Sequence, residues 1–438
     1  MVAGVNAVLP ILGGDLGLSA RQLSLISTIY LLGLAIAQLS SGRIGDIVGR
    51  RRLFLTGLGI FCLCSIVLGF VRHFELFICL RLIQGLGAAL FNASGLAILM
   101  TLAPADKRGV VLGISAAAVY AGISCGPAFA GLLAGFFGWR WLFWSTALST
   151  VAAWLLMRRS LREEWRQGQG EPFDWPGFFC YGAFMVCLTL GASSLQHAFW
   201  APWMLVGALC LLVCFIRLEW RNTFPLLELR LFTQNRVFSL SALAAFVNYA
   251  SSFGISFFFS MYLQGLRGLS VSDAGLFLAM QAVVQMLAAL LSGRLSDRYG
   301  AGNINMLGIA LCSAGIALAA LIEANTPLPQ LIGVQILLGT GFGLFATPNT
   351  ALILESAGPR YLGQASGITG AVRTGGMLAN MIIVTTSLSF FMGQEPLHPE
   401  NAAAFMECMR LNFFICTGLN LFALGCAFGH RRRSGGTN

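Results

Sequence analysis

Apolar residues in this chain gather into long runs, not into alternating or one-faced stripes. Fourteen runs are read, over 1–16, 22–41, 53–71, 76–103, 109–137, 141–157, 175–194, 201–217, 238–264, 273–292, 304–323, 328–355, 362–391 and 411–429. A helix needs about 20 apolar residues to cross the hydrocarbon of a bilayer. Most runs come near or exceed that, and the longest imply tilt or ends lying in the interface. A helix that is apolar all round has no face to offer water. The predicted fold class is therefore an all-α membrane protein of about fourteen spans. The first run is short for a crossing; either it tilts little and ends near the interface, or it begins upstream of Met1. No signal peptide is expected, because Met1 leads into that run without a basic segment.

Composition agrees with this reading. Of 438 residues, 57% are hydrophobic and 10% charged, against about a quarter charged in soluble domains. Mean hydropathy is +0.78. The spans and their short loops leave no room for a separate soluble domain.

The net charge of +10 would suit a nucleic-acid partner, but its distribution excludes one. The basic residues form short clusters between the runs, which is the positive-inside pattern of membrane proteins. When the loop after the second run is placed in the cytoplasm and sides alternate, twenty Lys and Arg fall inside and five outside, with Arg81 and Arg373 within runs. This bias predicts a multi-pass protein of the plasma membrane (the bacterial inner membrane) with both termini cytoplasmic. The lipid bilayer is its constant partner, and a monomer is expected.

Eleven of the twelve cysteines lie inside apolar runs, where Cys acts as a small hydrophobe. Cys62 and Cys64 have no second ligand pair, so no metal site is expected. No G-x-x-x-x-G-K-[ST] loop is present. Energy is therefore expected from an ion gradient, with no cofactor.

The chain also repeats itself. Gly42-Arg43-Ile44-Gly45-Asp46-Ile47-Val48-Gly49 follows the second run, and Gly293-Arg294-Leu295-Ser296-Asp297-Arg298-Tyr299-Gly300 follows the tenth. Independently, Gly85-Leu86-Gly87 with Leu90 and Phe91 matches Gly339-Thr340-Gly341 with Leu344 and Phe345. Internal repeats of this kind mark secondary transporters, with a substrate site between the repeats near the midplane. The copies stand in the second and tenth runs, so six helices per half leave two extra ones between. The expected organisation is an N-terminal six-helix bundle over 1–157, two additional helices with basic and polar connectors over 158–237, and a C-terminal six-helix bundle with a basic tail over 238–438.

With these motifs the sequence resembles the major facilitator superfamily over essentially its whole length. The stretch Gly42 to Arg52 looks like that family's signature loop. Gly138-Trp139-Arg140-Trp141-Leu142-Phe143 and Pro225-Leu226-Leu227-Glu228-Leu229-Arg230-Leu231-Phe232 look like the fourteen-span drug:proton antiporter branch. The resemblance implies a gate latch at Asp46, with Arg43 and Arg50 as partners. The bland alternative is a solvated acid beside a topogenic Arg cluster. Gly42, Gly45 and Gly49 permit a tight turn and close helix approach. Asp297 is kept in the second copy, but its Arg run is replaced by Ala301-Gly302-Asn303, so the latch is expected to be asymmetric.

Arg81 lies inside the fourth run, where a charge costs several kcal/mol unless it lines a cavity or has a partner. Snorkelling to the interface is the alternative. Arg81-x-x-Gln84-Gly85 resembles the family's fourth-helix motif, whose arginine is linked to proton coupling; Gln335 stands at the repeat position. Gly122-Ile-Ser-Cys-Gly126-Pro127-Ala-Phe-Ala-Gly131 resembles the antiporter motif of efflux members, with Ala130 in place of a glycine. Simple helix packing explains the same glycines. Asn6-Ala-Val-Leu-Pro10 resembles the branch's first-helix motif, but Met1 stands where the branch has an acid. Glu355 is the remaining acid near a run interior, and it equally suits the end of the twelfth run. Arg373 is a candidate cavity cation.

Tyr30, Asn92, Tyr120, Asn248, Gln281 and Asn349 are candidates to line a substrate cavity, with Tyr249, Gln285 and Asn380 beside them. Each serves equally as a helix–helix hydrogen bond. The chain has 34 phenylalanines, and a few in a cavity would suit amphipathic or cationic compounds through cation–π attraction. The leading expectation is proton-coupled efflux of such small molecules by alternating access. The alternative is uptake or export of a metabolite or organic anion, with Arg81 and Arg373 as anion contacts. An enzyme is not expected, since no catalytic constellation is visible.

Overall fold

A computed structural model describes residues 2–102, 108–161, 163–166, 170–195, 198–357, 362–393 and 401–434. Its helices are α1 (Val2–Leu16), α2 (Ala20–Val48), α3 (Arg50–Leu68), α4 (Phe74–Leu102), α5 (Arg108–Phe137), α6 (Arg140–Ser160), α7 (Trp175–Ser193), α8 (Ala201–Arg221), α9 (Leu229–Gln234), α10 (Arg236–Ser252), α11 (Ile255–Met261), α12 (Val271–Tyr299), α13 (Ala301–Ala319), α14 (Leu328–Ala357), α15 (Leu362–Phe391) and α16 (Ala402–Ser434). Eleven helical stretches among the described residues are long and apolar enough to cross a membrane. The chain is a multi-pass membrane protein with an all-helical fold. Its two ends are named here by the α2–α3 turn, which is rich in Arg, and by the opposite, Arg-poor end.

The apolar run at 238–264 is divided in the structure. α10 ends at Ser252, α11 starts at Ile255, and a π turn at Tyr262–Leu266 completes the rod. The cause is local. The Ser251 and Ser252 hydroxyls both donate to the Asn248 carbonyl, which bends a helix. From α15, Asn380 Nδ2 donates to the Ala250 carbonyl at 2.5 Å, and its Oδ1 accepts the Gly254 N–H. A neighbouring side chain thus supplies the backbone partners that the break removes, as non-helical backbone at membrane depth requires.

The sequence repeat is also a packing repeat. α4 packs between α2 and α3, and α14 packs between α12 and α13 in the same way. A Cβ at Gly57 in α3 would stand 2.8 Å from the Gly87 carbonyl oxygen. In the second copy, a Cβ at Gly308 in α13 would stand 2.8 Å from the Gly341 carbonyl oxygen. Gly85 faces the Tyr30 carbonyl of α2, and Gly339 faces the Gln281 carbonyl of α12. Lipid chains are as apolar as leucine, so helices in a bilayer associate through such close backbone approach, not through hydrophobic burial.

Two long contacts join the first six helices to those from α10 onward: α2 packs on α15, and α5 packs on α12. The hydrogen bonds described between the two sets lie toward the Arg-poor end. Ser24 Oγ donates to Thr385 Oγ1 at 2.9 Å, and Asn6 Nδ2 donates to Ser256 Oγ at 3.2 Å. Gln264 Nε2 donates to the Ala7 carbonyl at 2.9 Å, and Ser272 Oγ to the Gly131 carbonyl at 3.2 Å.

These approaches predict that Gly57→Ala and Gly308→Ala each lower stability by about 1–3 kcal/mol, the usual cost of overpacking. Gly59, one half-turn away with nothing within 4 Å of a Cβ, serves as control. Gly59→Ala should be neutral or slightly stabilising on helix propensity. Thermal unfolding of the three variants in detergent checks this.

Candidate functional site

The turn between α2 and α3 is held by ion pairs and by a foreign chain segment. Asp46 ends α2 and accepts from Arg50 Nε at 2.9 Å, with Nη2 also at 2.9 Å. Arg50 Nη1 donates to Thr101 Oγ1 of α4 at 2.9 Å. Arg50 is thus the partner of Asp46. Arg43 instead pairs with Glu171 at 2.7 Å and stands 5.1 Å from the centre of the Phe224 ring.

Gly49 joins the two helices at φ +120°, a conformation that side chains other than glycine rarely adopt. The space beside it is filled by Glu164. The Glu164 Oε1 accepts the N–H groups of Arg51 and Arg52 at 2.9 and 3.4 Å. The Trp165 carbonyl accepts the Arg50 N–H at 3.1 Å, and the Leu161 carbonyl accepts Arg51 Nε at 2.5 Å. A carboxylate from the segment after α6 therefore caps the open N–H groups at the start of α3, where an anion is favoured. The equivalent Gly300 also has positive φ, +84°, but only Asn303 Nδ2 lies within 4 Å of its Cβ position. Neither Gly49 nor Gly300 has a side chain to cap the helix it starts. The asymmetry expected from the sequence thus extends to the surroundings of the turn. Gly42 has open space around it.

Arg81 is fully buried in α4, seven residues from the helix start. Its Nη1 donates to Gln84 Oε1 at 2.7 Å and its Nε to the Ile26 carbonyl at 3.3 Å. Its guanidinium lies 4.3 Å from the centre of the Tyr30 ring, a cation–π distance. Gln84 Nε2 in turn donates to Ser65 Oγ at 2.7 Å. The Arg81 Nη2 has no partner, and none of the described ion pairs includes this residue. This buried cation is held by neutral groups and has one donor left over for a further acceptor. Its repeat counterpart Gln335 is also fully buried, and both its amide atoms lack partners.

The run from Gly122 to Gly131 lies on α5 and meets two helices. Gly126 faces Gly4 of α1, where a Cβ would stand 3.2 Å from the Gly126 carbonyl oxygen. Pro127 and Gly131 meet α12: a Cβ at Gly275 would stand 2.6 Å from the Pro127 carbonyl oxygen, and one at Gly131 2.7 Å from the Val271 carbonyl oxygen. Gly122 has open space around it. The run therefore forms a backbone-to-backbone contact between the two sets of helices near the Arg-poor end. There, Asp15 of α1 accepts from Trp139 Nε1 at 2.9 Å and Arg140 Nη1 at 3.2 Å.

The other candidates fall in different places. Asn248 donates to Asn420 at 3.0 Å, and Asn305 donates to Asn349 at 3.2 Å, so both are helix–helix bonds. Tyr30 belongs to the Arg81 cluster. Gln281 is half-buried; Asn92 and Arg373 are exposed. Glu355 is exposed near the Arg-rich end of α14, whereas Arg81 lies toward the opposite end, so the two are not brought together. The side chains of Tyr120 and Asp297 lie outside the described residues. Unanticipated were the capping role of Glu164, the Arg43–Glu171 pair, and a neutral network in which Ser27 Oγ donates to Asn6 Oδ1 at 2.6 Å. Ser24, Ser27 and Thr28 stand at helical spacing on α2, and that polar stripe was the available signal.

Comparisons with known proteins agree on the fold. The family model described as Major Facilitator Superfamily matches residues 1–381. The riboflavin transporter RibZ of Clostridioides difficile (strain 630) is 27% identical over 369 residues, covering 84% of this chain and 80% of that protein. The puromycin resistance protein pur8 of Streptomyces alboniger is 29% identical over 412 residues, covering 92% and 82%. Among solved structures, a bacterial homologue of the human lysosomal transporter Spinster, in an inward-facing and unoccupied conformation, superposes with TM-score 0.71 at 15% identity, covering 98% of this chain and 93% of that one.

The geometry of the turn predicts that Asp46→Asn, which removes one carboxylate from Arg50, slows transport about fivefold, corresponding to the ~1 kcal/mol of a partly exposed ion pair, while the folded yield is unchanged. Transport rate per folded molecule checks it.

Proposed function

The chain belongs to the Major Facilitator Superfamily, and from that membership we propose that this secondary transporter exports amphipathic or cationic drug-like compounds in exchange for protons. In this reading the rods α1 to α8, the divided α10–α11 rod and α12 to α16 make fourteen crossings. Residues 1–157 and 238–438 are the two six-helix bundles, and 158–237 holds the two additional helices. The Arg-rich end and both termini face the cytoplasm of a bacterial cell. The described conformation is then the one sealed toward the outside.

The observation that carries the export reading is the contact of Pro127 and Gly131 with Gly275. The antiporter-like run of α5 lies against α12, which in this reading belongs to the opposite bundle. Contact through backbone atoms holds two rigid bundles together without side chains that must repack when they rock apart. Arg81, the Asp46–Arg50 pair and Asp297 take the coupling and gating roles that the resemblance implies. The resistance protein among the relatives supports the same substrate class.

A second reading has its own observation. The free Nη2 of Arg81 favours an anionic or polar solute, and one relative is named for riboflavin transport.

Everted vesicles containing the chain separate the two. A fluorescent cationic dye should accumulate when the vesicle interior is acidified, and accumulation should vanish when an uncoupler collapses the proton gradient. Accumulation that survives the collapse refutes proton exchange; uptake of riboflavin with no dye transport favours the second reading. Arg81→Ala should lower the rate about tenfold or more, a loss of ~1.4 kcal/mol, and flatten its pH profile.

A further inference from the structure

Asp174 and Glu219 stand at the base of the α7–α8 pair, away from the contacts between the two larger sets of helices. Asp174 precedes α7 and is 8% exposed; Glu219 lies in the last turn of α8 and is 3% exposed. Each carboxyl group uses one oxygen to hold backbone. The Gly177 N–H donates to Asp174 Oδ1 at 3.0 Å, capping α7. The Leu227 N–H donates to Glu219 Oε2 at 2.9 Å, fixing the segment after α8. The other oxygens, Asp174 Oδ2 and Glu219 Oε1, are buried and have no donor. Both point to one place: a Cβ at Gly177 would collide with Asp174 Oδ2 and stand 2.7 Å from Glu219 Oε1.

Among the described residues, no ion pair includes Asp174 or Glu219. Arg217 and Arg221 on α8 are exposed. From α2, Arg43 is paired with Glu171 and Asp46 with Arg50. Near α9, Arg230 lies 3.9 Å from Glu228. From α15, Arg373 is exposed. Two buried carboxylates facing each other without a cation repel strongly, whereas one shared proton turns the repulsion into a hydrogen bond. A metal ion would need more oxygen ligands than this pair offers, and no group of three or more metal-binding side chains occurs among the described residues.

We propose that Asp174 and Glu219 bind one proton between Oδ2 and Oε1, making the carboxyl pair a proton-operated fastener for the α7–α8 pair. The proton joins the start of α7 to the end of α8. Through Leu227 it also fixes the segment that carries Phe224 beside Arg43 of the signature turn. The two oxygens share the proton as a property of the pair, not of either residue. The inference does not depend on the transported substrate.

Infrared spectroscopy of the full chain in lipid nanodiscs at neutral pH tests it. The wild-type chain should show the carbonyl band of a protonated carboxylic acid. Glu219→Gln and Asp174→Asn should each fold and each lose that band, because the amide supplies the missing hydrogen and the remaining carboxyl group ionises. Thermal stability of the wild type should fall as the pH rises and the proton leaves, while both variants lose that dependence. Absence of the band in the wild type, its survival in both variants, an unchanged pH dependence, or failure of both variants to fold overturns the assignment.

Discussion

A backbone N–H or C=O group that cannot reach water must find its partner within the protein, and this constraint shapes everything described above. It makes the described apolar runs helical. It also sets where helices are allowed to be irregular. The rod from Arg236 to Leu266 is interrupted only where Asn380 lends both ends of its amide to the freed backbone. The same constraint works at helix termini: Glu164 caps α3, Asp174 caps α7, and Asn235 caps α10. With backbone satisfied, helices gain little by hiding apolar surface from lipid, so they meet at glycines. The Gly57–Gly87 and Gly308–Gly341 approaches are the result, as is the meeting of Gly131 and Gly275.

Polar groups inside the molecule then stand out as costs that need a reason. Many bond across helices, as Asn248 does with Asn420, yet that pair also leaves Asn248 Oδ1 and Asn420 Nδ2 without partners. Arg81 and Gln335 are set apart by their place in the repeat. They occupy equivalent positions in the two repeats, are fully buried, and retain unused hydrogen-bonding atoms. Alternating access requires groups that exchange partners between states, and unfilled capacity at symmetric positions is compatible with that exchange.

Much of this was legible in the sequence because it is local or repeated. The apolar runs foretold the helices, although α2 and α12 continue seven residues past their runs and α16 starts nine residues before its own, and the Gly-x-Gly copies marked α4 and α14 as equivalent. Asp46 and Arg50 are four apart across one turn, so their pairing follows from spacing. Other features depend on partners far along the chain. Glu164 reaches back 113 residues to the Arg51 N–H, and no periodicity announces it. Arg43 was equally placed to serve Asp46; it goes to Glu171 because the segment before α7 passes beside it. The break at Gly254 was hidden because the aromatic-rich stretch Phe253 to Phe259 lies inside one long run, while its cause, Asn380, lies on another helix. The pairing of Asp174 with Glu219 needs the turn between α7 and α8 to bring both ends together.

The cap on α3 also has a consequence in time. Ribosomes deliver a chain from its N-terminus, so the α2–α3 hairpin reaches the membrane long before residue 164 exists. Until α4, α5 and α6 have been inserted, the N–H groups of Arg51 and Arg52 have only water at the membrane surface to bond. The turn is therefore finished late, when the segment beyond α6 folds back onto Gly49. A nascent chain halted before that point would carry a correctly placed hairpin whose turn is still unset.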